Sequence, residues 1–388
     1  MQLGQVVTLP RSFLHYARSV WRDARPAARR RGTSVFRIVR EQLALKSRNE
    51  LGAAEYYFYG LDDPAIPWEQ KLTYIGQSLL KKHWYVFTPA KYQFCIDNKL
   101  VFAHLFRSMG LPLAELYGVY DPHWGRAADG APLRNAEDVG RWMESSGVKE
   151  AVFKPMESAE SQMVLVMKGR KPGNPPAFIS TDGEVYTPQR LVAHFNDPDL
   201  LREAYPGSPA PPSTTLIQER LHQHPALRVF SEETLCCARV TTLATLDGRV
   251  EILLTVMKLQ PDPLGVDAPR RGGLQVFVDT ETGVLGNGRD KHEGGEAKHT
   301  DLPGTGIRFT GFQLPMWDEV KQVARSAAAA FPHAHTVGWD IGMTDRGPVI
   351  IEGNVTWGDF EIQILRGLNQ GAYRELVEQL QARGQGVD

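Results

Sequence analysis

The stretch Gly338–Asn354 reads GWDIGMTDRGPVIIEGN, two apolar runs around a turn-like TDRG. Runs of this kind form buried strands. Asp340, Glu352 and Asn354 nevertheless sit inside them, and an uncompensated buried carboxylate is costly. With Asp345-Arg346-Gly347 as a three-residue turn, Gly347 supplying the positive φ, Asp340 falls directly opposite Glu352. Asn354, two residues on, shares the face of Glu352. Three oxygen-bearing side chains then converge on one patch of sheet. Two compensations are open. The acids pair with buried arginines, or they hold a hard cation, for which this donor set suits Mg²⁺, or Mn²⁺ in its place, and not zinc. The spacing D-x11-E-x-N on one hairpin favours the cation.

A second hairpin lies upstream. CARVTTLATLDGRVEILLTVMKLQ, Cys237–Gln260, carries an Asp247-Gly248 turn that sets Arg239 opposite Val256 and brings Lys258 to the same face. Two cations on one sheet face call for a shared anion, such as a γ-phosphate or an acyl phosphate. Alternatively each reaches from an edge to water. Lys154 ends the apolar strand AVFKP, and a buried lysine needs an anion. Lys99, in DNK, lies near a helix start, where backbone N–H groups favour phosphate. In TTLIQERL, polar Gln218 and Glu219 follow an apolar run. Such a segment joins two lobes and offers backbone groups to an adenine edge, or it is a plain edge strand.

The rest of the chain bounds the answer. Its 388 residues are 42% hydrophobic and 23% charged, with net charge -1, enough for two or three subdomains with a real core. Cys95, Cys236 and Cys237 give no disulfide framework, which points to a reducing, cytoplasmic setting. No eighteen-residue apolar run exists, so no membrane span is expected, and the start lacks the pattern of a secretory signal. Residues 1–50 hold eleven Arg or Lys against Asp23, Glu41 and Glu50. RSFLHYARSVWRDA spaces Phe13, Leu14, Ala17, Val20 and Trp21 as one helix face with arginines opposite. A helix packed on its own protein with a solvated Arg face is favoured over peripheral contact with an anionic membrane or RNA. No nucleic-acid partner is expected. Helical and strand segments mix without βαβ alternation, which argues an α+β fold. The divisions expected are a mainly helical region 1–90, then 91–213 and 214–388. His222, His224, His292, His299, His333 and His335 show no zinc spacing, and no Ser/His/Asp set is present.

Taken together, DNKLVFAHLFRSMGLP, IQERLHQHPAL, ARVTTL, RRGGLQVFVDTETG, GTGIRFTGFQLPMWDEV and VGWDIGMTDRGPVIIEGN resemble an ATP-grasp enzyme. More closely, the chain is similar to the sugar-transfer-associated, α-L-glutamate-ligase-related ATP-grasp group, over about residues 90–365. The resemblance implies two α+β lobes, 91–213 and 214–388, closing on ATP. Lys99 and Lys154 would bind its phosphates, Gln218, Glu219 and the backbone of Leu221 its adenine, and His224 its ribose. Asp340, Glu352 and Asn354 would ligate one or two Mg²⁺. Arg239 would stabilise the transferring phosphoryl group and an acyl phosphate, and the hairpin geometry adds Lys258. The implied reaction joins a small carboxylic acid to an amine through an acyl phosphate, releasing ADP and phosphate, in natural-product or cell-surface glycan assembly. A small-molecule kinase and a non-catalytic nucleotide-binding scaffold are the alternatives. One departure stands out: where ATP-grasp proteins carry a glycine-rich phosphate lid, residues 156–163 contain none.

Overall fold

The structure, a computed structural model, describes residues 11–157, 162–205, 207–208, 212–259, 274–290, 298–358, 363 and 366–384, with side chains from residue 20 onward. The departing loop, at Ser158–Ser161, and the Arg270–Gly273 segment lie outside the described residues. Two compact units emerge, one of residues 1–86, 294–296 and 358–388, the other of residues 87–293 and 297–357.

The first unit is helical. Its main helices are α1 (Arg11–Arg31), α2 (Val35–Asn49), α3 (Ala53–Phe58), α4 (Trp68–Lys71) and α5 (Gln77–Phe87). Val20, Ala24, Ala27 and Ala28 of α1 are buried with Ile38 and Leu45 of α2, and Tyr56 and Leu61 complete the core. The alanines let the two helices approach closely, so the basic helix does pack on its own protein. The last helix, Gly371–Ala382, belongs here too. Its Tyr373 hydroxyl meets His83 Nδ1 at 2.7 Å in a buried contact. The sequence expectation had placed that helix with residues 214–388. Its pattern shows an apolar face but not which unit that face meets.

The second unit holds two antiparallel sheets. Strands β1 (Leu116–Tyr120), β2 (Arg126–Ala127), β3 (Ala151–Pro155), β4 (Leu165–Lys171), β5 (Ala177–Ser180), β6 (Val185–Tyr186) and β7 (Thr215–Gln218) form one sheet, in the order β2-β1-β7-β3-β4-β5-β6. Helices α8 (Ala136–Ser145) and α9 (Pro188–Phe195) cover it, burying Val139, Trp142, Leu191 and Phe195 against Phe153, Phe178 and Ile217. Thus β7 is a central strand of the first sheet, which corrects both the edge-strand alternative and the 213/214 boundary.

The second sheet uses β8 (Cys237–Ala244), β9 (Val250–Leu259), β10 (Leu274–Val278), β11 (Leu285–Asp290), β14 (Thr336–Thr344) and β15 (Gly347–Asn354), in the order β11-β10-β9-β8-β14-β15. A two-stranded ribbon, β12 (Asp301–Leu302) with β13 (Ile307–Arg308), stands apart. Helices α6 (Ala90–Asp97), α7 (Lys99–Ser108) and, beyond α10 (Pro198–Ala204), α11 (Trp317–Ala330) complete the described α-helices of this unit. Ile96, Phe102, Phe106, Ala324 and Ala327 pack under Val240, Met257, Trp339 and Ile341. Asn98 caps α7: its side-chain oxygen accepts the N–H groups of Leu100 and Val101 at 3.2 and 3.1 Å.

Candidate active site

The decisive hairpin is β14–β15. Its turn is tighter than expected. Thr344 pairs with Gly347, so only Asp345 and Arg346 form the loop, with Gly347 at φ 119°. A one-residue turn error would flip every side chain to the other face. It does not, because a bulge between Asp340 and Ile341 restores the missing residue. Asp340 therefore faces Glu352 as the spacing had suggested.

The neighbouring strand extends the row. Arg239 of β8 pairs with Asp340 on one side and with Val256 of β9 on the other. Arg239, Asp340 and Glu352 thus stand in line across three adjacent strands, on one face. Trp339 and Ile341 alternate to the core face, where both are fully buried. Arg239 grips Asp340 with two parallel bonds, Nε to Oδ1 and Nη2 to Oδ2, both 2.7 Å. Lys258 Nζ adds a third to Oδ2 at 2.9 Å. The anion shared by the two cations is therefore Asp340 itself. Burial pushes the Asp340 carboxyl up, but Arg239 and Lys258 outweigh it and hold it well below the usual carboxylate range.

Glu352 differs. Its half-buried side chain has no hydrogen-bond or ion-pair partner among the described residues. Asn354 Nδ2 donates to the Gly338 carbonyl at 3.3 Å, which leaves its Oδ1 as the outward acceptor. A carboxylate accepts about four hydrogen bonds, so the three on Asp340 leave one position on Oδ1. Glu352, Asn354 Oδ1 and that position are an all-oxygen donor set, which fits Mg²⁺.

Gly353 between the two donors matters through its missing side chain. A Cβ there would lie 2.9 Å from Ile96 and 3.3 Å from Phe102. This close approach seats the α6–α7 junction against β15 and brings two more charges to the site. Lys99 opens α7, and its N–H donates to the Met156 carbonyl just past β3, at 3.1 Å. Asp97 ends α6. Burial raises its carboxyl above the ordinary value, with Glu352 adding to the effect, while Lys99 and an N–H from Val355 oppose it. The sequence reading gave Asp97 no role; its adjacency to Lys99 in DNK was the available signal.

Lys154 comes from the first sheet. Alternation along β3 buries Ala151, Phe153 and Pro155 on the core side and turns Lys154 the other way. Its ammonium has no hydrogen-bond or ion-pair partner among the described residues. Burial pulls it down to about 8; nearby Glu352 opposes that shift and Lys99 adds to it. Lys154 thus feels the charges of both Glu352 and Lys99.

The segment after β7 joins the two sheets. Gln218 is buried and pairs with both Leu116 and Val152. Glu219 exchanges bonds with Glu115, its N–H donating at 2.8 Å and its carboxylate accepting at 3.2 Å. Its other oxygen accepts Arg346 Nη2 at 2.7 Å, so the Glu219 side chain is committed to the protein. Leu221 follows, half-buried. Arg220 bridges Glu150 and Glu233 at 2.8 and 2.6 Å, a clamp the sequence reading missed. His224 Nδ1 accepts the Ala226 N–H at 3.2 Å while its own N–H donates to Met343, which gives it a local structural role.

Two sheets joined by such a linker, with a carboxylate-bearing hairpin on one and a lysine strand on the other, are the pattern of the ATP-grasp class. The family model for sugar-transfer associated ATP-grasp matches residues 84–376, and the chain belongs to that family. Among curated proteins no significant match is found. Among solved structures, the chain is similar to a biotin carboxylase–β,γ-ATP complex from Campylobacter jejuni, at 10% identity and TM-score 0.40, covering 71% of this chain and 47% of that one. D-alanine–D-alanine ligase from Helicobacter pylori matches at 8% identity and TM-score 0.37, covering 76% and 62%. N5-carboxyaminoimidazole ribonucleotide synthetase from Thermotoga maritima matches at 12% identity and TM-score 0.35, covering 74% and 52%. The chain spans about half the length of the biotin carboxylase chain. The family match, not these low-identity likenesses, carries the assignment.

Proposed function

We propose that the protein is an ATP-dependent carboxylate–amine ligase. The observation that carries this reading is the couple of Lys154 and Glu352. A lysine and a glutamate, each without a hydrogen-bond partner among the described residues, stand near enough to influence each other. Charges left apart in this way suit a ligand that is itself anionic and brings its own cation, which describes a nucleotide polyphosphate.

The roles follow from position. Lys154 and Lys99 hold the phosphates, and the backbone of Leu221 offers its groups to adenine. Glu352, Asn354 and the remaining acceptor of Asp340 hold Mg²⁺. When bound, Mg²⁺ neutralises phosphate charge and fixes the geometry for in-line transfer. A substrate carboxylate attacks the γ-phosphorus, and the bond to the bridging oxygen breaks to release ADP. Arg239 and Lys258, held side by side by Asp340, stabilise the charge that gathers on the transferring group. An amine then attacks the acyl carbon, phosphate leaves, and an amide forms. The remaining Asp340 contact keeps both cations oriented, so they need not reorganise during the step.

ADP release by the purified protein against pooled acids and amines, with mass spectrometry of the product, tests the reading. The expected product is an amide of one acid and one amine. A phosphorylated alcohol as the product would replace the ligase with a kinase.

A further inference from the structure

We infer that the helical unit carries a docking surface for an anionic phospholipid bilayer. Among the arginines of α1 and α2 whose side chains are described, two sets stand out. Arg30 and Arg31 turn to Asp62, at 3.0 and 3.1 Å, and Arg37 turns to Glu41 at 2.8 Å. Arg25, Arg29 and Arg40 are exposed and have no ion-pair partner among the described residues. Intramolecular acids thus account for the first set and not for the second.

The second set keeps company with exposed aromatic rings. Trp21 is 43% exposed and lies one turn before Arg25, which in turn precedes Arg29 by one turn. Phe36 is 68% exposed and lies one turn before Arg40. Between them, Arg25, Ala28 and Arg29 of α1, the turn at Gly32-Thr33 and Val35 of α2 line a surface cavity of about 380 Å³. Trp21 lies one turn before the lining Arg25, and Phe36 directly follows the lining Val35.

Charge complementarity selects the occupant. A surface of unpaired arginines with exposed Trp and Phe matches the bilayer interface, where aromatic rings settle at headgroup depth and cations meet anionic headgroups. Each arginine near such a surface contributes about a factor of five to partition. The rings add an apolar part that salt does not screen. The sequence favours packing of the basic helix, and that packing is present through Val20, Ala24, Ala27 and Ala28. The bilayer would meet the flank that carries Trp21, Arg25 and Arg29, beside the packed face, so both uses fit one helix.

The test is sedimentation of the full chain with vesicles of phosphatidylcholine alone and of equimolar phosphatidylcholine and phosphatidylglycerol. The protein is expected to pellet with the anionic vesicles only and to be released in part as salt rises. Replacing Arg25→Glu with Arg29→Glu should cut that partition at least about tenfold. Trp21→Ser with Phe36→Ser should lower the part that survives high salt. All four side chains are on the surface of their helices, and circular dichroism is to check that each variant keeps its fold. No pelleting of the unchanged protein, or pelleting indifferent to the arginine reversals, would overturn the proposal. Retention on single-stranded RNA that phosphatidylglycerol vesicles fail to displace would also overturn it, in favour of a nucleic-acid occupant.

Discussion

Two buried carboxylates invite comparison, Glu41 in the helical unit and Asp340 in the sheet unit. Glu41 accepts the Tyr56 hydroxyl at 2.7 Å, Lys71 Nζ at 2.7 Å and Arg37 Nε at 2.8 Å. Burial raises its carboxyl and those three donors more than reverse the effect. Asp340 likewise takes three bonds from two cations. Around Glu41 the account closes: Lys71 is 1% exposed and spends its charge on that acid. Around Asp340 it stays open, because Glu352 opposite it, and Lys154 within reach of the Glu352 charge, have no hydrogen-bond or ion-pair partner among the described residues. A closed cluster holds helices together, whereas an open one is arranged for something that arrives from outside.

The largest effect expected is at the open cluster. Glu352→Gln keeps the size of the side chain and removes its charge. Steady-state ADP release should fall by about a thousandfold or more, with the urea midpoint unchanged. Near-normal turnover in that variant would make Glu352 a bystander and erase the contrast with Glu41.

Lys154→Met is expected to act in two directions. Nucleotide affinity, measured by calorimetry with ADP, should drop by about ten- to a hundredfold through the lost charge-assisted contact. The fold should become more resistant to urea, because a lysine held near 8 by burial costs stability while charged. The pH dependence has a definite sign. Between about 8 and the ordinary value of 10.5, the unfolded chain binds the proton and the folded chain does not. Stability from this group therefore rises with pH across that window, and nucleotide affinity falls as the ammonium is lost. Both slopes should flatten in the variant.

The closed cluster should answer differently. Glu41→Leu strands Lys71 in the helical core and should cost about 3–5 kcal/mol in urea unfolding. ADP affinity of the remaining folded protein should not change. A loss of nucleotide binding with no loss of stability would mean that the two clusters had been assigned the wrong way round.

The smallest effect is expected at the linker. Arg220→Met releases the clamp to Glu150 and Glu233. The nucleotide KM should rise by a few-fold while kcat holds, since the clamp positions Leu221 without touching the reacting atoms. A fall in kcat alone would speak against this positioning role.

How far the sequence carried differs between these regions. Period-two alternation and the Asp247-Gly248 turn were enough to align Arg239 with Val256 and to bring Lys258 across. The β14–β15 register was legible for a partly wrong reason. A three-residue turn and a two-residue turn with a bulge give the same pairing at Asp340, and sequence spacing is the same for both. The grip of Arg239 and Lys258 on Asp340 was open among alternatives, because spacing tells which residues share a face but not which charge satisfies which. Asp97 escaped notice because its role depends on Gly353 letting α6 approach β15, a contact between segments far apart in sequence. The membership of Gly371–Ala382 in the helical unit was hidden for the same reason.

The most direct test of the central claim traps the intermediate. A carboxylate that takes up the γ-phosphoryl group becomes a mixed anhydride, which hydroxylamine converts to a hydroxamate; a phosphorylated alcohol is inert. With an acid that stimulates ADP release and no amine present, hydroxylamine should yield one hydroxamate for each ADP formed. Arg239→Ala should suppress that yield by about a hundredfold while ADP still binds. A stable phosphate ester with no hydroxamate, from every acid that stimulates ADP release, would contradict the ligase reading.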